Sequence, residues 1–266
     1  MIKMIVSDID GTLLPEATDQ MPQEMYEVIR ECKKRGILFV AASGRQYHSM
    51  RYVLEPVADD ILFLAENGSL IFEKNEIIYS QYIQPEIARE LLTDMRNTQT
   101  GEVILSTPYV TYLEKTGEVY ERVGRPDNSY HSKTELVNDL MPYCSRTNKM
   151  AILIKENLEE VARAYSEKYA DSLNCKRAGT VWLDCMAKHA DKGEAVGILQ
   201  KRFGIKKEET MAFGDNLNDL GMLMAAGENY AMADGNPELI RRAKYTAPPQ
   251  KDNGVIQVIR EKVLCR

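Results

Sequence analysis

Two aspartates at the end of one apolar run are the first residues of this chain with chemistry to offer. Met4-Ile5-Val6 passes through Ser7 into Asp8-Ile9-Asp10-Gly11-Thr12. The two-residue period of an extended chain puts Asp8 and Asp10 on the same side as the chain leaves its strand. Carboxylates that close repel one another. Both stay ionised only with a cation between them; otherwise one keeps its proton while the other does not. Gly11 lets the backbone turn sharply, and the Thr12 hydroxyl can tie the turn down.

A second acidic strand end follows late in the chain, where Met211-Ala212-Phe213 runs into Gly214-Asp215-Asn216-Leu217-Asn218-Asp219. A third apolar run, 37–42, ends in Ser43-Gly44-Arg45. A hydroxyl, an approachable glycine amide and a following helix start make an anion seat. Ser-Gly-Arg occurs in many strand-to-helix turns, and its weight here comes from sharing a sheet edge with Asp8. Lys192 stands at a predicted helix N-terminus, where the macrodipole disfavours a cation by up to ~1 kcal/mol; an anion gripped by both the ammonium and the helix end offsets that. In open parallel sheets sites form beyond the carboxyl ends of the strands. Asp8, Asp10, Ser43 and Asp215 all fall there, and hard carboxylates around one open phosphate face suit magnesium.

The elements that must position these residues are legible as periodicities. Residues 23–34 carry Met25, Val28, Ile29 and Cys32 at helical spacing, between Pro22 and Gly36. The runs 37–42 and 61–65 are continuously apolar, the pattern of parallel strands covered on both faces, and strand–helix–strand makes a right-handed crossover. A hairpin follows over 70–72 and 77–79. From Pro85 the pattern changes to a helix through 95, half-polar runs at 103–105 and 110–113, and a polar stretch through Lys133. A run at 150–154, a helix over 158–169 and paired runs at 175–178 and 181–185 complete an antiparallel α+β insert. Parallel character resumes with a helix over 191–203, capped by Asp191 and Glu194. A strand at 211–213, a helix over 218–226, a last strand at 231–232 and helices over 237–243 and 255–263 follow. Residues 1–81 and 187–266 thus form one α/β domain and 82–186 a second domain inserted into it.

A chain of 266 residues with 44% hydrophobic content suits one large or two moderate globular domains. No segment has the length and apolarity of a signal peptide or a membrane span, so a cytoplasmic protein without membrane partners is expected. The five cysteines are dispersed without a Cys-x-x-Cys pair, against a disulfide framework or zinc site. The three histidines are equally scattered, giving a histidine metal centre or a Ser/His/Asp triad little to build on. A net charge of −6 offers no footprint for nucleic acid.

Taken together, Asp-Ile-Asp-Gly-Thr-Leu, Ser43, Lys192 and Gly-Asp-Asn-x-Asn-Asp resemble the four ordered motifs of the haloacid dehalogenase superfamily. The insert between the second and third resembles the large α/β cap of its Cof-type phosphatases. The resemblance covers the full length; the first and fourth motifs are specific, the second and third less so. It implies a Rossmann-like parallel-sheet core with an inserted α+β cap, and a magnesium-dependent phosphatase. By that resemblance Asp8 is the nucleophile, carried through an aspartyl-phosphate, and Asp10 the acid and then the base. Magnesium is held by Asp8, the Asp10 main-chain carbonyl and Asp215, with Asp219 behind them. Ser43, the Gly44 amide, Lys192 and Asn218 grip the phosphoryl oxygens. The chain departs from the pattern at His189-Ala190, where the family often has Gly-Val, which touches loop shape. Gly221 inside a predicted helix costs about 1 kcal/mol against alanine and points to close packing.

A cap closing over the sheet edge would exclude water and choose the leaving group. Arg45, Tyr47, His48 and Arg51 just past Ser43, and Arg122, Arg125, His131 and Trp182 in the insert, are candidates for contacting the substrate; taken singly, each reads as an ordinary surface or packing residue. Such polar and aromatic groups suit a phosphorylated sugar or similar small metabolite, handled by a monomer or weak homodimer. Two other readings stand beside it: a phosphomutase passing the aspartyl-phosphate to a second hydroxyl, and a silent sensor of a phosphate ester.

Overall fold

A computed structural model describes all residues except 16–17, 115, 126–130, 132, 179 and 266; part of the polar stretch ending at Lys133 therefore lies outside the described residues. The chain divides into two compact units, one formed by Met1–Ile78 with Asp191–Arg266 and the other by Tyr79–Ala190.

The first unit opens with β1 (Met4–Asp8), α1 (Gln23–Lys34), β2 (Leu38–Ala42), α2 (Tyr47–Val53), β3 (Leu62–Ala65) and β4 (Leu70–Glu73), and its first segment ends within β5 (Glu76–Ser80). The uninterrupted apolar runs make β1 and β3 buried along their whole length, since helices cover both faces of a parallel sheet. Helix α1 turns Met25, Val28, Ile29 and Cys32 inward, the stripe its spacing predicts, and buries Tyr26 as well.

The second unit holds α3 (Pro85–Arg96), β6 (Val103–Ser106), β7 (Thr111–Leu113), β8 (Thr134–Leu136), β9 (Lys149–Leu153), α4 (Leu158–Lys168), β10 (Leu173–Ala178) and β11 (Trp182–Ala187). Among its described residues the strands are ordered β10-β11-β9-β6-β7-β8, antiparallel except for the parallel pair β7 and β8. Leu91, Leu92 and Met95 of α3 share one core with Met150, Ile152, Leu183 and Cys185 from the sheet. Strand β8, three residues of half-polar sequence, carries no apolar alternation by which it could be read.

The chain then returns with α5 (Lys192–Phe203), β12 (Thr210–Gly214), α6 (Leu220–Ala225), β13 (Glu228–Met232), α7 (Pro237–Arg242), β14 (Tyr245–Ala247) and α8 (Gly254–Ile259). Two differences from expectation have local causes. Strand β13 starts at Glu228, earlier than its apolar end suggests, because the buried Asn229 is satisfied in place: its Nδ2 donates to the Ala226 carbonyl at 3.2 Å and its Oδ1 accepts from the Lys244 amide at 2.7 Å. Edge strand β14 is mostly exposed and shows no apolar run.

The eight strands of the first sheet are ordered β14-β13-β12-β1-β2-β3-β4-β5. The chain builds outward from β1 toward β3, then crosses to the other side of β1 to lay down β12, so β1 and β12 flank the topological switch point. The register pairs Asp8 with Ala42 and Ser7 with Phe213. Ser43 and Asp215 therefore emerge just beyond the strand ends on either side of Asp8. All five cysteines are free thiols, and no helix among the described residues is long and apolar enough to cross a membrane.

Candidate active site

At the switch point four charged side chains from distant parts of the chain meet. Asp8, the last residue of β1, is 5% exposed, and Lys192, the first residue of α5, is 1% exposed. The Lys192 Nζ donates to Asp8 Oδ1 and, at 2.6 Å, to Asp219 Oδ1. Helix α5 aims this lysine because it has a firm start: the Asp191 carboxylate accepts from the Gly193 amide at 2.8 Å.

The loop after β12 is built around Asp219, which is fully buried. Its Oδ2 accepts from the amides of Asp215 at 3.0 Å and Asn216 at 3.1 Å. The expected helix over 218–226 accordingly begins as a tight turn, Leu217–Asp219, before α6. Both oxygens of Asp219 are thereby committed, and Asp215 stands half-buried beside it. Thr12 Oγ1 donates to Asp215 Oδ1 at 2.9 Å, joining the turn after β1 to the loop after β12. Gly11 has φ +79, and a Cβ there would lie 2.6 Å from Asp215 Oδ2, so the turn has both the conformation and the space of glycine.

Three carboxylates, of Asp8, Asp215 and Asp219, offer oxygens all within 4.8 Å of one another. The Lys192 ammonium bonds two of them. Burial raises Asp8 well above the usual carboxylate range, with the charges of Asp219 and Asp215 adding to it and Lys192 opposing. Burial and the Asp219 charge push Asp215 up to about 6. Lys192 is pulled down by burial, but the charges of Asp219 and Asp8 outweigh this and raise it. A crowd of hard oxygen donors short of positive charge fits a divalent cation such as magnesium.

Asp10 faces a different set of groups. Arg45 Nε donates to its Oδ2 at 2.8 Å and Arg45 Nη2 to its Oδ1 at 2.5 Å; Ser43 Oγ stands 3.4 Å from Oδ2. Arg45, a candidate substrate contact, thus spends its side chain on Asp10. Tyr47, another candidate contact, takes the packing role: it is 2% exposed, stacked on Phe72 with ring centroids 3.9 Å apart, and its hydroxyl bonds Lys74 O and, at 3.0 Å, Asn75 Oδ1. Its ring belongs to the core and its hydroxyl to the β4–β5 turn. His48 is half-buried on α2 beside it, with ring centroids 5.7 Å apart. Arg51 pairs with Asp59 at 3.0 Å.

Asn67, which the sequence reading passes over, joins the site. It sits in a left-handed turn after β3, with φ 50° at Glu66, 54° at Asn67 and 98° at Gly68. Its amide donates to Ser43 O at 3.0 Å, its side chain packs over Gly44, and its Oδ1 accepts from Asn218 Nδ2 at 3.4 Å. The signal was present, since Glu-Asn-Gly follows a parallel strand and asparagine tolerates the left-handed region. In the inserted unit, Arg122 and Arg125 pair with Glu118 at 2.7 Å and Glu121 at 3.1 Å. Trp182 packs with Leu113, Val119 and Leu153, and His131 has φ 50°.

The sequence model of one family, described as haloacid dehalogenase-like hydrolase, matches residues 5–259. A curated relative from Escherichia coli K12, 5-amino-6-(5-phospho-D-ribitylamino)uracil phosphatase YbjI, is 27% identical over 265 residues, covering 99% of this chain and 96% of its own. Among solved structures, SMU.1108c from Streptococcus mutans superposes with a TM-score of 0.88 at 26% identity, covering both chains completely. The subclass IIB sugar phosphatase BT4131 superposes with a TM-score of 0.81 over 97% of this chain and 98% of its own; at 23% identity that likeness is one of fold.

Proposed function

The chain belongs to the haloacid dehalogenase-like hydrolases, as an enzyme of the phosphatase type, and from that premise we propose that it hydrolyses a small phosphorylated sugar or polyol in the cytoplasm, using magnesium and an aspartyl-phosphate. One observation carries the reading: Asp8, buried at the switch point, is held by Lys192 beside Asp215, while Asp10, two residues on, faces a separate set of partners. Two carboxylates so close in sequence are thereby given unlike surroundings and unlike tasks.

Asp8 is assigned the attack on phosphorus. As its oxygen bonds to phosphorus the ester P–O bond breaks, and the electron pair leaves on the alcohol oxygen, which takes a proton from Asp10. Water then attacks phosphorus and gives a proton back to Asp10, while the bond to Asp8 breaks and inorganic phosphate departs. Lys192 offsets the repulsion between Asp8 and an incoming phosphate, and Ser43, the Gly44 amide and Asn218 are assigned to the phosphoryl oxygens. Magnesium, when bound, supplies charge neutralisation and Lewis-acid polarisation of those oxygens. Asp8, the Asp10 main-chain carbonyl and Asp215 would hold it. Asp219, with both oxygens already taken, is suited to fixing the loop rather than to direct ligation.

The substrate class draws support from the Escherichia coli relative, whose name places a phosphate on a ribityl chain. Choice among substrates is assigned to the inserted unit. The test is phosphate release from a panel of esters with magnesium, with EDTA, and with Asp8→Asn. Turnover with magnesium alone, lost in the other two arms, and sugar phosphates ahead of nucleotides and phosphoamino acids, is the expected result. Absence of release from every ester overturns the phosphatase reading; nucleotides turned over as well as sugars overturn the substrate class.

A further inference from the structure

Arg45 follows the phosphate-seat residues Ser43 and Gly44, where an arginine would ordinarily be expected to meet the substrate's phosphate. Its guanidinium is instead committed. The residue is 8% exposed, and Nε and Nη2 form a parallel fork on the two oxygens of Asp10 at 2.8 and 2.5 Å. Nη2 also donates to the Thr18 carbonyl at 3.0 Å, tying the fork to the segment beyond the β1 turn. The main chain is anchored as firmly: the Arg45 amide donates to Ser43 Oγ at 3.0 Å and its carbonyl accepts from the Glu66 amide at 3.0 Å. The remaining nitrogen, Nη1, is buried without a partner among the described residues. An ammonium would neutralise Asp10 without burying that orphan. What only the guanidinium supplies is two bonds in a fixed plane, which dictate where the carboxylate points.

A carboxylate has about four lone-pair positions. The fork occupies one on each oxygen, and the Ser43 hydroxyl faces Oδ2 at 3.4 Å. Oδ1 keeps an open position, on a side chain that is 30% exposed. Resting on the acid–base role assigned to Asp10 above, we propose that Arg45 is a positioning residue that locks the Asp10 carboxylate so that Oδ1 delivers the proton to the leaving oxygen. It does so without touching substrate. The proton leaves Oδ1 as the ester P–O bond breaks, and nothing else is gained or lost at Arg45.

A leaving group that needs no proton separates this from a binding or a purely structural role. For Arg45→Gln and Arg45→Lys, kcat/KM is measured on p-nitrophenyl phosphate, whose phenolate departs unprotonated, and on an alkyl ester such as a hexose phosphate. This ratio reports the steps up to leaving-group release. On the alkyl ester a loss on the order of 10²–10⁴-fold is expected in Arg45→Gln, the usual worth of a positioned general acid. On the nitrophenyl ester a change of no more than a few fold is expected. Arg45→Lys, which keeps the charge but cannot fork, shows the same split, and carries the test should Arg45→Gln not fold. In an Asp10→Asn background neither variant lowers alkyl-ester turnover further.

Equal losses on both esters overturn the proposal, because binding and folding defects do not read the leaving group. So does a further loss in the Asp10→Asn background. A wild-type chain inactive on both esters removes the phosphatase reading and this proposal with it. An active wild type whose Asp10→Asn variant shows no split removes the acid role of Asp10, and the proposal, while leaving the phosphatase reading in place.

Discussion

Lys192 is the residue on which the buried charges depend. Its side chain is fully enclosed, between the carboxylates of Asp8 and Asp219. A lysine there stays charged because two acids outweigh the cost of burial, and the acids tolerate one another because of the lysine. Replacing it removes the partner of two buried carboxyl groups at once. Lys192→Met is expected to cost about 3–5 kcal/mol of stability, the usual result of breaking a buried pair from one side, read from urea denaturation, and to abolish phosphate release. A variant as stable as the wild type would mean that the carboxyls take up protons at no cost. This role could be read from the sequence only in part: a lysine at a helix start signals an anion, but the choice of Asp8 as partner lies 184 residues away in the chain.

Among the elements, the starts of α5 and α6 decide how closely the lysine and the Asp219 loop approach. They meet through glycines. A Cβ on Gly193 would lie 2.5 Å from the Gly221 carbonyl carbon, and one on Gly221 would overlap the Asp191 carboxylate that caps α5. The glycine inside α6 that looked costly by helix propensity therefore has a packing reason. Gly221→Ala sets two effects against each other: a propensity gain of about 1 kcal/mol and an overpacking loss of about 1–3 kcal/mol. Net destabilisation in urea is expected, since the overlapped group is the cap itself; net stabilisation would show that the cap can move aside freely. The same scale explains where sequence reading stopped short. Strands β8 and β14 are three residues each and half-polar or exposed, so no apolar period marks them; pairing with a neighbour already in place makes them strands.

For the whole molecule, the consequence of a switch point lined with acids is a stability that depends on pH and on cation. Asp215 is pushed up to about 6 from an ordinary 3.8, so the fold favours its protonated form. The stability from this group is complete below about pH 4 and is lost as pH rises through about 6. A bound divalent cation answers the same repulsion. Magnesium is expected to raise Tm little near pH 5 and more near pH 7.5, approaching ~2.7 kcal/mol of stabilisation at a hundredfold excess over its Kd. A shift independent of pH, or none, would count against the acidic cluster as the metal site. By itself the sequence determined the parallel core and the order in which acids, hydroxyl and lysine arrive at one sheet edge, because buried strands must be continuously apolar and connections between parallel strands return to the same edge. Only the tertiary structure decided the pairings. That Arg45 forks Asp10, that Tyr47 stacks on Phe72, and that Asn67 bonds Ser43 depend on side-chain directions across 35, 25 and 24 residues of intervening fold, and local spacing carries no record of which of several polar groups at an edge will face one another.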